Sequence, residues 1–299
     1  MEAAVPVTEP RRPIPARRPR SPRQILHQVV WHLTALAMLV VVLYPVAWTV
    51  GSSFKPSREI VGSINLLPTT GTLQHYRTAF EGAAGVSLAQ FFGNSLVLAV
   101  LAVVGTVGSS SLAAFAFARL RFRGRGLFFT MMITTLLLPF HVMIIPQYIV
   151  FQRLGFIDTY VPLLVGKYLA TDAFFVFLIV QFMRGLPREL DEAAKIDGCG
   201  PWRTYWNVIL PLTRPALITA SIFSFIWTWN DFLGPLLYLN TPAKYPLPLG
   251  LRMFMDQTSV SDYGAMIAMS LLALLPVILF FLAFQRYLVS GVATSGLKG

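Results

Sequence analysis

Charge is scarce in this chain. Only 12% of its 299 residues are Asp, Glu, Lys or Arg, while 55% are hydrophobic, and an ordinary globular domain carries about 25% charged residues. With a mean hydropathy of +0.63, the chain lacks the polar surface of a water-facing sphere and is built for a bilayer. Cysteine is almost missing as well: Cys199 stands alone, which excludes an internal disulfide and a cysteine metal cage. His27, His32, His75 and His141 show no paired metal spacing, and no Ser-His-Asp arrangement is visible. No Gly-x-x-x-x-Gly-Lys-Ser/Thr phosphate loop occurs, so ATP hydrolysis by that route is excluded. No catalytic residue, metal or cofactor is expected, and the chain is not expected to be an enzyme. Acidic residues are also few, 13 against 24 Lys and Arg, for a net charge of +11. In a soluble protein that excess would suggest nucleic acid, so the placement of the charges matters.

What the chain does have is long apolar runs. Crossing about 30 Å of hydrocarbon takes roughly 20 residues at about 1.5 Å each. Six runs qualify: Ile25 to Val50, Phe91 to Ala118, Leu127 to Val150, Val161 to Met183, Ala216 to Leu239 and Gly264 to Gln285. Only the fourth, with Lys167 and Asp172, and the fifth, with Asp231, hold a charged residue. The runs are too long for barrel strands and do not alternate polar with apolar. The expected fold is therefore all-α, a polytopic membrane protein of six helices over 25–290. Residues 1–24, with six arginines and several prolines, read as a disordered basic tail. The first run is too long for a signal-peptide core and no small-residue cleavage site follows it. Residues 291–299 form a short carboxyl tail.

Positively charged loops remain cytoplasmic. The amino tail, the 119–125 loop, the 184–214 loop and the carboxyl tail together hold seventeen Lys and Arg, and the alternate loops hold six. Both termini are thus expected in the cytoplasm of a bacterial-type inner membrane. The cytoplasmic segments also contain six acids, Glu2, Glu9, Glu189, Asp191, Glu192 and Asp197, so their net charge equals that of the whole chain. A basic excess confined to one membrane side is a topology signal, and the nucleic-acid reading falls.

Four of those acids crowd into 185–215. Pro187 suits a helix start, Glu189, Asp191 and Glu192 place negative charge at the positive end of its dipole, and Gly198 suits a left-handed cap. After Gly198-Cys199-Gly200, Pro201 opens a second helix. In it Trp202, Tyr205, Trp206 and Ile209 are spaced for one apolar face, and the helix is expected to end before Pro211. Cys199 fills a small-residue place in the hinge. The expected product is a helix, a glycine hinge and an amphipathic helix lying against the membrane.

Glu192-Ala193-Ala194, then Gly198, then Val208, Leu210 and Pro211 resemble the Glu-Ala-Ala…Gly…Ile-x-Leu-Pro signature of permease subunits of binding-protein-dependent ABC importers, with Val208 in place of Ile. Tyr44-Pro45, Ser53-Phe54-Lys55, Ala118-Arg119-Leu120-Arg121-Phe122, Trp229-Asn230-Asp231-Phe232 and the Gly291 to Gly299 tail are similar to the maltose-type sugar permeases. The resemblance implies that Glu192, Ala193, Ala194, Asp197, Gly198, Val208, Leu210 and Pro211 belong to a loop seated on a cytoplasmic ATPase subunit. It also implies a second, similar permease chain, two ATPase subunits, an extracytoplasmic solute-binding protein and a carbohydrate substrate. The carboxyl tail would touch the ATPase pair. The residues alone leave a second reading open for Trp202, Tyr205 and Trp206, as interfacial anchors against membrane lipid.

Intramembrane charge is costly and asks for a partner or a cavity. Asp172 lies about 18 Å along the fourth span, near mid-membrane, and Asn230 and Asp231 lie beyond the midplane of the fifth. These three line a substrate path in one reading. In the other they hydrogen-bond between helices or pair with Lys167 to hold the bundle. A self-contained ion-coupled transporter or channel using Lys167, Asp172 and Asp231 is the alternative function. Gly105, Gly108, Ser109, Ser111, Ala114 and Ala118 give the second span a small-residue surface for close helix packing.

Overall fold

The apolar runs lack strand periodicity, and in the computed structural model they are helical; residues 22–60, 62, 64–256 and 262–296 are described. The helices are α1 (Pro22–Ser52), α2 (Ser57–Ile60), α3 (Gln74–Glu81), α4 (Leu88–Arg119), α5 (Arg125–Thr135), α6 (Phe140–Arg153), α7 (Val161–Tyr168) and α8 (Ala173–Gly185). They continue as α9 (Glu189–Ile196), α10 (Pro201–Thr204), a π-turn over Tyr205–Ile209, α11 (Leu210–Leu212), α12 (Arg214–Trp229), α13 (Leu233–Tyr238), α14 (Leu247–Asp256) and α15 (Tyr263–Gly296). No strand occurs among the described residues, apart from one isolated bridge between Ala83 and Val86. The amino tail expected over 1–24 lies outside the described residues up to Ser21, and Pro22 already opens α1. The tail expected from 291 is helix through Gly296, and its last three residues lie outside the described residues.

Four helical segments are long and apolar enough to cross a membrane: Leu26–Ser52, Leu88–Arg119, Val161–Gly185 and Tyr263–Phe284. A fifth is a bent pair, Pro201–Leu212 and Arg214–Trp229, which meet at 75°. The run from Leu127 to Val150 is not one helix. It breaks at Leu136–Pro139, because Pro139 has no N–H to donate and pushes the residue before it toward extended backbone. Each piece is too short to span on its own. The run from Ala216 to Leu239 breaks likewise at Asn230–Phe232, between α12 and α13.

α4 is the element on which α7, α8 and α12 pack. Its 32 residues rise about 48 Å, more than the hydrocarbon thickness. Its first half belongs to one core with α3, α12, α14 and α15, built on Phe91, Phe225, Trp229, Leu247 and Met269. Its second half belongs to another, where Phe115 and Ala118 meet Phe175, Ile179, Met183, Tyr205 and Ile209. Between the two cores the expected small-residue surface does its packing. A Cβ on Gly105 would lie 2.7 Å from the ring of Tyr168. Ser109 donates to the Lys167 carbonyl at 2.7 Å, and Ser224 to Thr106 at 3.2 Å.

At the end of the bundle where α4 begins, Asp158 ties two loops together. It sits in left-handed backbone, φ 61°, a conformation that Asp tolerates better than most residues. Its carboxylate accepts from Lys244 Nζ at 2.7 Å, from the Asn240 and Thr241 amides at 2.9 and 3.0 Å, and from Thr241 Oγ1 at 2.7 Å. Lys244 first, then these amides and the hydroxyl, hold the carboxyl well below the usual carboxylate range.

Gly105→Val is expected to cost about 1 to 3 kcal/mol of stability by overpacking, read as a lower thermal midpoint in detergent. Gly108→Ala, with open space around its Cβ, should leave the midpoint unchanged; equal midpoints for both variants would contradict the close approach. Asp158→Asn keeps the backbone conformation but loses the ionic bonds, and should lower the midpoint by the equivalent of about 1 kcal/mol, since Lys244 is 45% exposed and water screens the pair. Because the folded carboxyl is held low, that contribution is complete above the ordinary carboxylate range and is lost only as pH falls into strong acid. The gap between parent and variant should therefore stay constant between about pH 6 and about pH 8.

Candidate functional site

The segment from Gly185 to Pro215 forms the expected two-armed loop. In α9, Glu189, Asp191 and Glu192 occupy the first turn and Lys195 the last, matching the dipole at both ends. Gly198 takes φ 77° beyond the cap residue Asp197. Its amide donates to the Lys195 carbonyl at 3.0 Å, and the Cys199 amide to Ala194 at 2.8 Å. This pair of bonds is a Schellman closure, which needs a left-handed residue at the glycine position. Within α9, Ala194 is buried, while Glu192, Ala193 and Lys195 are exposed, as are Asp197 and Gly198 beyond it. Ile196 is 87% exposed at the same tip.

The second arm differs from the expectation in two ways. It does not stop before Pro211 but runs through α11 to Leu212, then turns into α12 at Thr213, whose hydroxyl donates to the Ile209 carbonyl at 2.6 Å. Nor do the four spaced apolar residues share one buried face. Pro211 has no N–H for the Asn207 carbonyl, and the turn before it widens to π geometry over Tyr205–Ile209. Tyr205 and Ile209 are buried, whereas Trp202 and Trp206 are 63% and 49% exposed. Val208 and Leu210 pack against the second core, and Pro211 is exposed.

Both arms are fastened to α4. The Tyr205 hydroxyl meets Ser111 Oγ at 2.8 Å, and its ring lies 5.2 Å from that of Phe115. Arg119 Nη1 donates to Asp191 Oδ2 at 2.8 Å, while Nη2 donates to the carbonyls of Met183 and Leu186 at 2.6 and 3.0 Å. A cleft of about 490 Å³ opens between the end of α4 and the loop, lined by Arg119, Arg188, Asp191, Glu192, Lys195 and Cys199 among others. Sequence reasoning missed these fasteners. Arg119 reads there as one of a row of basic residues and as part of a permease-like stretch, with no partner assigned, although it is the first charge after an uncharged span.

Asp172, Asn230 and Asp231 all sit at helix breaks. Asp172 ends the Leu169–Asp172 break between α7 and α8, and its Oδ2 accepts from Lys167 Nζ at 2.6 Å. Asn230 and Asp231 begin the break between α12 and α13. Asp231 Oδ1 accepts from the Gly234 amide at 3.1 Å, and Asn230 donates to the Ile226 carbonyl at 2.8 Å. Asn230 is exposed, and Asp172 and Asp231 are half-buried. The pairing of Lys167 is thus with Asp172, five residues along the chain.

Known proteins are similar to this chain. Residues 105–294 match the family described as the binding-protein-dependent transport system inner membrane component. The sn-glycerol-3-phosphate transport system permease protein UgpE of Brucella abortus is 35% identical over 270 residues, 88% of this chain and 95% of that protein. The galactooligosaccharides transport system permease protein GanQ of Bacillus subtilis is 29% identical over 280 residues, 93% of this chain and 98% of that protein. A chain of a bacterial ABC transporter that imports the acidic polysaccharide alginate shares the fold, with a TM-score of 0.79 at 21% identity, over 91% of this chain and 99% of that one. The family match runs from the small-residue face of α4 through the two-armed loop into α15, and the chain belongs to the inner membrane components of binding-protein-dependent transport systems, the permease subunits of ABC importers.

Proposed function

We propose that this chain is one permease subunit of a carbohydrate importer and that the segment 185–215 is its coupling loop, seated on a cytoplasmic ATPase subunit. The observation that carries the coupling reading is the Glu192-Ala193-Ala194 arm closed by Gly198. It presents exposed Glu192, Asp197 and Ile196 at one tip, while Ala194 allows close approach to the second arm. The carbohydrate reading rests on relatives such as the galactooligosaccharide permease. The working assembly is this chain, a second and similar permease, two ATPase subunits and an extracytoplasmic solute-binding protein. All six apolar runs cross the membrane, the third, fourth and fifth as broken helices. Both termini lie in the cytoplasm, where the basic excess sits, and exposed Trp202 and Trp206 rest against lipid headgroups.

The substrate path passes the two breaks that carry Asp172, Asn230 and Asp231. Discontinuous helices free backbone groups near the midplane, where transporters place their sites. The ion-coupled alternative has less support, since Lys167 and Asp172 are already paired with each other.

Glu192→Lys and Gly198→Pro should abolish uptake of labelled oligosaccharides while leaving the subunit in the membrane at normal amounts; unchanged uptake in both would remove the coupling assignment. Asn230→Ala and Asp231→Asn should raise the half-saturating sugar concentration several-fold, by roughly 1 kcal/mol per lost hydrogen bond. Loss of the protein from the membrane, measured by quantitative blotting, would instead assign those groups to helix packing.

A further inference from the structure

Arginines at the end of a span ordinarily extend their heads into water. Arg119 does not: its side chain is 4% exposed, and that of its partner Asp191 is 20% exposed. One guanidinium holds three elements at once, α4 that carries it, the last carbonyls of α8, and the first arm of the loop. The α8 contact adds a cation at a helix C-terminus, so charge and dipole act together. Arg119 Nε is buried with no partner among the described residues.

Arg119 also lies on a line. Ser111, Phe115 and Arg119 are spaced at i, i+4 and i+8 on α4, one face of the helix. The upper two hold Tyr205 in the second arm, and the third holds Asp191 in the first. Two residues before Ser111, Ser109 holds the carbonyl of Lys167, the residue paired with Asp172. A rigid helix therefore joins both arms of the loop to the polar break in the membrane, and the salt bridge is the charged joint at its end.

We propose that Arg119 is the positioning residue that passes movement of the 185–215 loop to α4 and thence to the transport path, an inference that rests on the coupling reading above. Lysine could reach Asp191 but not both carbonyls as well, because it lacks the planar fork.

The test uses the assembled transporter in membranes, with Cys199→Ser as background and a reporter cysteine at the exposed break, Asn230→Cys. The rate of maleimide labelling is measured with and without the non-hydrolysable nucleotide AMP-PNP, beside ATP hydrolysis. The parent should show a nucleotide-dependent change in rate. In Arg119→Gln and Asp191→Asn that change should fall by about tenfold, within the usual range of site-to-site coupling, while hydrolysis persists, and Arg119→Lys should be intermediate. A role limited to stability would lower the amount of protein and leave the nucleotide response intact. That result in Asp191→Asn and Arg119→Lys overturns the proposal, even if Arg119→Gln does not accumulate. Glu192→Lys and Gly198→Pro run in parallel. If they lose the response while the Arg119 and Asp191 variants keep it, only the role of Arg119 falls. If they too keep it, or the parent shows none, the coupling reading falls as well.

Discussion

The structure depends on how closely other helices approach α4. Lipid tails are as apolar as leucine, so helices in a bilayer gain little by hiding hydrophobic surface from one another and must associate by contact and hydrogen bonding. α4 meets that constraint with small residues. The absent side chain of Gly105 is the space that Tyr168 fills, and Thr106, Ser109 and Ser111 each make a bond to a different neighbour, α12, α7 and the π-turn. The helix contains no proline, so no missing N–H interrupts it along its 32 residues and one element serves all three.

Its neighbours are built the opposite way. α7 and α8 are separated at Leu169–Asp172, α12 and α13 at Asn230–Phe232, and α5 and α6 at Leu136–Pro139. Inside hydrocarbon every broken helix leaves carbonyls and amides that need partners, and irregular backbone is tolerated there only against protein or a wet cavity. The charged residues of the fourth and fifth runs fall at or beside these breaks. Lys167 and Asp172 neutralise each other, and the Asp231 carboxylate takes up the Gly234 amide. An unbroken helix flanked by broken ones is a division suited to a protein in which one part moves as a unit while others bend at their breaks.

Much of this was legible in the residues. Apolar length foretold the helices, and the small face of the second span foretold that something would pack close to it. The glycine after an acidic-to-basic segment foretold the Schellman closure at Gly198. The breaks were less legible, because hydropathy averages over a window and does not feel one missing N–H, so the run holding Pro139 still has the apolar length of a single span. The π-turn was invisible for a related reason. Equal spacing at a period of 3.6 put Trp202, Tyr205, Trp206 and Ile209 together, and one widened turn ahead of Pro211 separated them into two buried and two exposed. Side-chain partnerships across long stretches, such as Arg119 with Asp191 or Asp158 with Lys244, leave no periodic trace at all.

The charge pattern shows why such partnerships are hard to read. Counting basic residues by loop treats each as a solvated cation that resists transfer across the membrane, and for the exposed Arg121, Arg123 and Arg188 that treatment is sound. Arg119 is different, because its charge is spent on Asp191 and on the carbonyl end of α8. The same bond divides the acids of the loop. Asp191 turns inward to close the joint with α4, which leaves Glu189, Glu192 and Asp197 exposed. A loop that kept all of its carboxylates in water would have no charged hold on the bundle, and one that buried them all would have nothing negative to offer a basic partner. One acid inward and three outward lets the same short helix be fixed on one side and available on the other.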